Sequence, residues 1–153
     1  MFASVVNGGK YYAPTIVAGE MKNGEFASKE ATQPVRQTIS AETSATMRGM
    51  LHEARLLYSD VGAIDAGYYV GGKTGTSQAL KDEDGDGLAE YVMSETKATY
   101  VGYGMTLSDA VPEYVVMVKI WQEGRALDGG TDAKPIFDEI SQYMTDYLRM
   151  KKQ

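Results

Sequence analysis

The fold is indicated by a strand-forming stretch at residues 68–78, which reads YYVGGKTGTSQ. It opens with aromatic and β-branched residues, which pack well on the surface of a β-sheet. Two more strand-forming segments follow at residues 98–103 and 114–121, and strands that are neighbours in sequence usually pair when short loops connect them. We therefore predict an α+β fold, in which an antiparallel β-sheet packs against helices.

Two helices are predicted to pack against this sheet. One covers residues 41–58, with Ser40 as its N-cap, and the other begins near Pro135. The residues expected to face the core are Met47, Met50, Leu51, Ala54, Leu57 and Tyr58 in the first helix, and Ile136, Phe137, Ile140, Tyr143 or Met144, Tyr147 and Leu148 in the second. The strand at residues 114–121 is nearly continuous in apolar residues, so we expect it to be buried on both faces.

The N-terminal part of the chain is rich in turn signals. Residues 5–9, VVNGG, are typical of a helix C-terminus, where glycine adopts the left-handed conformation. A small hairpin is predicted between residues 14–17 and Phe26, around a turn at residues 22–25, and a loop is predicted at residues 62–67. Because the chain opens on an apolar segment that leads straight into a helix end, we expect it to be a piece of a larger domain.

Composition excludes several classes of function. Fifteen Lys and Arg residues against 21 Asp and Glu residues give a net charge of −6 and a pI near 4.8, so the chain lacks the positive surplus that binding to nucleic acid or to an anionic membrane surface requires. Without cysteine there is no disulfide, no thiolate metal site and no cysteine nucleophile. No segment approaches the roughly 18 consecutive apolar residues of a membrane span.

The stretch also carries four residues that suit an anionic ligand: Lys73, Thr74, Gly75 and Thr76, which we call the KTGT tetrad. Lys73 and Thr74 should point to opposite faces of a strand, whereas Thr74 and Thr76 share one face. Gly75 leaves room for a ligand or another backbone to come close. The alternative is a surface lysine on an edge strand, flanked by threonines that merely favour β-structure.

The segments around the tetrad suggest a family. The chain resembles the C-terminal half of the transpeptidase domain of penicillin-binding proteins, in particular the class B monofunctional branch. The segments that carry the resemblance are, in order, residues 6–10, 68–78, 100–104, 112–118 and 129–137. The three motifs of such enzymes are S-x-x-K, a motif like S-D-N, and K-T-G. The resemblance implies a partial penicillin-binding, β-lactamase-like fold, with residues 1–153 as the C-terminal portion of one domain.

The resemblance also implies roles for the tetrad in a peptidoglycan D,D-transpeptidase. Lys73 would supply the positive field that holds the carboxylate of a stem peptide or a β-lactam, and Thr74 and Thr76 would hydrogen-bond that carboxylate and the peptide backbone. The backbone N–H of Thr76 would be one of two oxyanion-hole donors, and Gly75 would allow close approach. The parent protein would act on the extracytoplasmic face of the bacterial cytoplasmic membrane, with its anchor upstream and with no membrane contact by this segment.

The other two motifs are missing from the expected positions. No S-x-x-K precedes Lys73, and no S-x-N occurs. The single S-x-x-K, Ser94 to Lys97, follows the K-T-G strand and leads into the next strand, so we interpret it as a chance match. We therefore expect the chain alone to be inactive. In the family fold, Tyr114–Trp121 pairs with a strand from the upstream part, so a bare edge here, or an exposed apolar patch on the terminal helix, should favour a homodimer or other self-association. The alternative is that residues 14–17 fold over and cover this edge.

An acidic loop at residues 80–90 suggests a second class of function. Asp82, Asp84 and Asp86 occupy positions 1, 3 and 5 of a calcium loop, and Glu90 occupies position 9. Position 12 is Met93, so the bidentate glutamate is lacking and only weak calcium binding is expected. The alternatives are a solvated acidic loop in a chain with no cofactor, or a non-catalytic, calcium-stabilised binding module. His52, the single histidine, is interpreted as a surface or rim residue.

Overall fold

The computed structural model describes residues 1–29, 33–57 and 67–151. The chain forms two compact units, Met1–Met47 and Arg48–Gln153. The loop predicted at residues 62–67 lies outside the described residues except for Gly67, and so does Tyr58 of the first predicted helix. Among the described residues, no helix combines the length and the apolar character that crossing a membrane requires.

The first unit holds a short helix and two small antiparallel sheets. Its elements are α1 (Phe2–Val6), β1 (Lys10–Tyr11), β2 (Gly19–Lys22), β3 (Glu25–Ser28), β4 (Arg36–Gln37) and the start of α2 (Ala41–Leu56). β1 pairs with β4, and β2 pairs with β3. The helix end predicted at residues 5–9 is confirmed, because α1 ends at Val6 and both Gly8 and Gly9 have positive φ.

The predicted hairpin forms, but its first strand is β2 and not the run at residues 14–17. Asn23 and Gly24 both have positive φ, as a two-residue hairpin turn of type I′ requires. Such a turn pairs the residues directly on either side of it, so Lys22 lies opposite Glu25. The turn therefore decides which segment becomes the strand.

The N-cap of α2 is confirmed, since the Ser40 hydroxyl accepts a hydrogen bond from the Thr43 amide at 3.0 Å. The predicted core face is only partly right. The buried residues of this helix are Ser44, Leu51 and Arg55, and the exposed residues of the predicted face include Met50 and Leu57. Polar side chains can occupy the buried side because they are paired there: the Ser44 hydroxyl donates to the Val5 carbonyl at 2.7 Å.

The sheet of the second unit confirms the predicted antiparallel arrangement. It consists of β5 (Tyr69–Lys81), β6 (Glu90–Met105) and β7 (Tyr114–Trp121), in the order β5-β6-β7. All neighbours are antiparallel, with Lys73 opposite Val101 and Thr76 opposite Ala98. β5 and β6 are longer than predicted, so the acidic loop is the tip of a long hairpin.

The prediction that β7 is buried on both faces is wrong. Tyr114 and Val118 are buried, but Met117 is 62% exposed and Trp121 is 54% exposed. Side chains alternate between the two faces of a strand, and the face that carries Tyr114 and Val118 packs against the helix that follows it in the chain, α3 (Lys134–Tyr147). The outer edge of β7 has no strand partner in the part of the chain that the structure describes.

The last helix, α3 (Lys134–Tyr147), follows one π-helical turn at Gly129–Ala133, which we call the π-turn. Its predicted core face is again only partly right. The buried residues of α3 are Lys134, Phe137, Asp138, Ser141 and Thr145, and the exposed members of the predicted face include Ile136, Tyr143 and Tyr147. The charges are buried as an ion-paired group: Asp138 accepts from Arg55 at 2.8 Å and from Lys134 at 2.6 Å. Such pairing offsets part of the cost of removing charges from water.

Aromatic rings lie across four glycines of the β5-β6-β7 sheet, which are Gly71, Gly72, Gly102 and Gly104. A Cβ at Gly71 would come within 2.5 Å of the Tyr103 ring, and one at Gly104 would come within 2.3 Å of the Tyr114 ring. The same relation joins Gly72 to Tyr100, at 2.5 Å. The fully buried Tyr100 ring in turn packs against Phe137 of α3, with 4.7 Å between the ring centroids. The absence of side chains at these glycines therefore makes room for the rings of the core.

Candidate functional site

The KTGT tetrad lies in the middle of β5, an outer strand of the sheet. One edge of β5 pairs with β6, and the other has no strand partner among the described residues. Lys73 and Thr76 are exposed, and Thr74 and Gly75 are half-buried. The sequence-predicted residues are thus accessible together along one strand edge.

Lys73 and Thr74 contact each other, although consecutive strand residues leave the backbone on opposite faces. The Lys73 ammonium donates to the Thr74 hydroxyl at 3.1 Å and to the Thr74 carbonyl at 3.2 Å. The four-carbon Lys73 side chain is long enough to bring its charge back to its neighbour. A cation and a hydroxyl therefore lie side by side, which suits a carboxylate oxygen.

Thr76 contacts Asp128, a residue that the sequence analysis did not predict as part of the site. The Thr76 hydroxyl donates to Asp128 Oδ2 at 3.1 Å and accepts from the Gly129 amide at 3.1 Å. Asp128 also caps the π-turn, since its Oδ1 accepts from the Gly130 amide at 2.7 Å and from the Thr131 amide at 3.2 Å. These two amides and the Thr76 hydroxyl hold the pKa of the Asp128 carboxyl below its usual value. An aspartate directly before a helical segment is a sequence signal for such a cap.

Gly129 brings the π-turn against the backbone of the tetrad. A Cβ at this position would lie 2.6 Å from the Thr99 carbonyl oxygen and 2.7 Å from that of Gly75. The Thr99 hydroxyl donates to the same Gly75 carbonyl at 3.0 Å. The strand at Gly75 and Thr76 is therefore held in place by β6 and by the π-turn.

The loop between β7 and Asp128 is anchored by two consecutive residues of β6. Glu95 accepts from the Trp121 ring N–H and from the Gly124 amide, each at 2.8 Å, and forms an ion pair with Lys81. The Lys81 hydrogen bond, followed by those from Gly124 and Trp121, lowers the pKa of Glu95 to about 2.

The second anchor is Thr96, whose hydroxyl donates to the Leu127 carbonyl and accepts from the Leu127 amide at 2.7 Å. Leu127 is 5% exposed and belongs to the hydrophobic core. Because Leu127 directly precedes Asp128, this anchor and that of Glu95 fix the point at which the loop reaches Thr76.

The acidic loop brings three of its four candidate ligands together. One carboxylate oxygen from each of Asp82, Asp84 and Asp86 lies within 4.8 Å of the others, and this group does not include Glu90, which begins β6. Amides of the loop donate to Asp82 and Asp86, among them Gly85 to Asp82 at 2.7 Å. Three carboxylates with this spacing suit a hard cation.

Ser94 and His52 lie outside the edge of β5 that carries the KTGT tetrad. Ser94 is an exposed residue of β6, and its hydroxyl donates to the Glu83 carboxylate at 2.6 Å. Its S-x-x-K segment is therefore in a strand and not at the start of a helix. His52 is half-buried, with Nδ1 2.8 Å from the Val70 carbonyl and its ring stacked on Tyr69 at 4.1 Å, which agrees with a rim position.

Comparisons with known proteins identify curated relatives with similar sequences. The chain is 29% identical over 140 residues to stage V sporulation protein D of Bacillus subtilis, and 28% identical over 154 residues to penicillin-binding protein PbpB of Mycolicibacterium smegmatis. These alignments cover 90% and 94% of this chain but 20% and 22% of the relatives. The chain therefore spans about a fifth of the length of the curated relatives it matches.

Solved structures share the fold. Penicillin binding protein 3 of Mycobacterium tuberculosis, in its apo form, matches with a TM-score of 0.68 and 21% identity, over 98% of this chain and 34% of that chain. The same protein complexed with aztreonam matches with a TM-score of 0.67 and 23% identity, over the same shares of both chains. In addition, a family model described as the penicillin binding protein transpeptidase domain matches residues 1–142. The chain belongs to the family of penicillin binding protein transpeptidase domains.

Proposed function

We propose that this chain provides the substrate-binding edge of a serine D,D-transpeptidase, which cross-links the stem peptides of peptidoglycan. The observation that carries the proposal is the geometry at Lys73 and Thr74, where an ammonium and a hydroxyl lie 3.1 Å apart on an exposed outer strand. The carboxylate of a stem peptide or of a β-lactam would bind there. Family membership supports this assignment, as does the aztreonam complex of the solved relative.

The edge of β5 that has no strand partner among the described residues gives the peptide a second means of recognition. An extended peptide would pair with this edge as an added strand, with backbone hydrogen bonds for affinity and side-chain pockets for specificity. Gly75 lets its backbone come close, and the backbone N–H of Thr76 would serve as one of the two donors to the oxyanion. Loss of one such donor typically costs about 3–4 kcal/mol of transition-state stabilisation.

The nucleophile would come from outside this chain. We propose that residues 1–153 form the C-terminal portion of one transpeptidase domain, whose upstream portion carries the S-x-x-K serine and the S-x-N loop. That serine would attack the donor peptide, and the acyl group would then pass to an amine, on the extracytoplasmic face of the cytoplasmic membrane. The strand position of Ser94 supports the view that this chain does not acylate itself.

A fluorescent penicillin and a denaturing gel test the proposal. The chain alone should show no covalent band, whereas the same chain joined to its upstream portion should be labelled. Lys73→Ala in the longer protein should weaken that labelling, because the carboxylate loses its cation. A covalent band on the chain alone that disappears in Ser94→Ala would contradict the assignment of the nucleophile.

A second candidate function is a calcium-stabilised binding module, favoured by the 4.8 Å grouping of Asp82, Asp84 and Asp86. With the twelfth-position ligand missing, affinity should be weak, on the order of 10⁻⁴–10⁻³ M. At roughly 10 mM calcium and a Kd of roughly 1 mM, binding would stabilise the fold by about 1.4 kcal/mol. A calcium-dependent rise in melting temperature that is lost in Asp84→Asn would favour this function, and no shift would leave a solvated acidic loop.

A further inference from the structure

We propose that Thr99 is a positioning residue for the oxyanion donor of the reaction, because its hydroxyl binds the oxygen of the peptide group whose nitrogen belongs to Thr76. Thr99 lies on β6, directly opposite Gly75, and is half-buried. This inference rests on the proposed function, in which the backbone N–H of Thr76 is one of the two donors to the oxyanion. Thr99 would act through the backbone of the KTGT tetrad and not through contact with the ligand.

The orientation of the peptide group between Gly75 and Thr76 follows from this hydrogen bond. The Thr99 hydroxyl donates to the Gly75 carbonyl oxygen at 3.0 Å, so this oxygen points toward β6. The peptide bond is trans, and the N–H of a planar trans peptide group points away from its C=O. The Thr76 N–H therefore points to the other edge of β5, which has no strand partner among the described residues. A scissile carbonyl would approach from that side.

The Thr99 hydroxyl reaches this oxygen because residue 75 is glycine. Residues directly opposite each other in a sheet carry their side chains on the same face, and a Cβ at Gly75 would lie 2.5 Å from the Thr99 hydroxyl oxygen. A larger residue at position 75 would thus push the hydroxyl from its place. Gly75 therefore makes room for the Thr99 hydroxyl on one side, in addition to the room that it leaves for a ligand.

The peptide group is held from both faces of the sheet. Thr99 occupies the face on which a Gly75 side chain would lie, whereas the Thr76 side chain points to the other face. On that other face the Thr76 hydroxyl accepts from the Gly129 amide at 3.1 Å, and a Cβ at Gly129 would lie 2.7 Å from the Gly75 carbonyl oxygen. The Thr76 N–H is therefore fixed before a ligand arrives. A donor that needs no reorganisation is the kind that stabilises a developing oxyanion most effectively.

The hydrogen bond from Thr99 also strengthens the donor. In a chain of hydrogen bonds each bond strengthens the next by roughly 10–30%, so a bond to the Gly75 oxygen makes the Thr76 N–H a better donor. One oxyanion-hole donor contributes about 10²–10³-fold to the rate. On a logarithmic scale, 10–30% of that contribution is about 2–8-fold. Loss of the Thr99 hydroxyl should slow acylation by at least this factor and leave the binding of the ligand carboxylate unchanged.

The test uses the chain joined to its upstream portion and an excess of a chromogenic β-lactam, at neutral pH and below the melting temperature of every variant. Stopped-flow measurements separate the dissociation constant of the initial complex from the rate constant of acylation. Thr99→Val keeps the β-branched shape and removes the hydroxyl. It should lower the rate constant of acylation at least about twofold, with the dissociation constant unchanged. Thr99→Ser keeps the hydroxyl and should acylate at the rate of the unaltered protein.

A second readout isolates the tetrahedral state. A boronic acid forms a negatively charged tetrahedral adduct with an active-site serine, so its affinity should fall in Thr99→Val by the same factor as the rate constant of acylation. Thr145→Val is the matched control, because Thr145 is a buried threonine whose hydroxyl also donates to a backbone carbonyl, that of Ser141 at 2.8 Å. It lies on α3, so this control should lower the melting temperature without changing the rate constant or the affinity for the boronic acid.

Several results would overturn the inference and leave the proposed function standing. These are an unchanged rate constant of acylation in Thr99→Val, with or without a higher dissociation constant, and a loss in Thr99→Ser as large as that in Thr99→Val. If Thr99→Val does not fold, Thr99→Cys takes its place, because a thiol is only a weak donor, and slower acylation is again expected. If the unaltered longer protein is not acylated at all, the proposed function falls and the inference falls with it.

Discussion

Replacing Gly129 with alanine should push the π-turn away from the tetrad. The new Cβ would lie 2.6 Å from the Thr99 carbonyl oxygen, 2.7 Å from the Gly75 carbonyl oxygen and 2.9 Å from the Gly75 nitrogen. A Cβ atom essentially never lies within 3.0 Å of a heavy atom from another part of the chain, and all three obstacles are backbone oxygen or nitrogen atoms of paired strands. No side chain can rotate to relieve the clash, so the π-turn must move.

Two costs add up in this variant. Inserting a methyl group into a packed site typically costs about 1–3 kcal/mol, and the displaced Gly129 amide loses its bond to Thr76 Oγ1, worth about 0.5–1.5 kcal/mol. We expect the free energy of unfolding to fall by about 1.5–4.5 kcal/mol. For a chain of this size that corresponds to a melting temperature lower by about 3–18 °C.

Thermal unfolding followed by circular dichroism measures the change, and Gly49→Ala is the matched control. The nearest obstacle to a Cβ at Gly49 is the Tyr69 hydroxyl at 3.9 Å, an ordinary contact distance. Alanine is favoured over glycine in a helix by about 1 kcal/mol, so this control should melt at the same temperature as the unaltered chain or higher. If Gly129→Ala melts within about 1 °C of the unaltered chain, the close approach at Gly129 does not hold the π-turn in place.

Three further perturbations test other parts of the structure. Asp138→Ala removes the carboxylate shared by Arg55 and Lys134, so urea unfolding should show a loss of about 3–5 kcal/mol; a loss under about 1 kcal/mol would mean that the ion pairs contribute little. Because the pKa of folded Glu95 is about 2 and its usual value is 4.5, its ionised form stabilises the fold above about pH 4.5 and this contribution disappears as the pH falls toward 2. Glu95→Gln should therefore melt lower at neutral pH and flatten the acid side of the melting profile, and parallel profiles would contradict the role of its ion pair. The chain should self-associate through the outer edge of β7, and light scattering should detect less of the dimer in Met117→Lys; a monomeric unaltered chain would refute this.

Local sequence signals predicted the strands well and their burial poorly. The bounds of β7, Tyr114–Trp121, were predicted to the residue, because a run of β-branched residues stands between turn-forming residues. The same apolar run suggested burial on both faces, yet Met117 is exposed. How many layers cover a sheet depends on tertiary packing, which a run of apolar residues does not encode.

The buried faces of the helices and the composition of the candidate site also depend on tertiary packing that local sequence does not encode. Arg55 is fully buried because α3 supplies its carboxylate partner, Asp138, from 83 positions away in sequence. The KTGT tetrad was visible as four adjacent residues. Asp128 lies 52 positions from Thr76, so its part in the edge depends on the fold that brings the loop back to β5.

The rings that lie across glycines in the sheet constrain the order in which this sequence can change during evolution. Alanine at Gly104 would collide with the Tyr114 ring at 2.3 Å, and the three nearest atoms to the new Cβ all belong to this one side chain. The same substitution should become tolerable once Tyr114 has been replaced by a smaller residue. The substitution of Gly104 by alanine is thus harmful while Tyr114 is present and acceptable once it has been replaced. The effects of the two substitutions are therefore strongly non-additive, as is common for contacting residues. We expect the two positions to covary among descendants of this chain, with the tyrosine lost before the glycine.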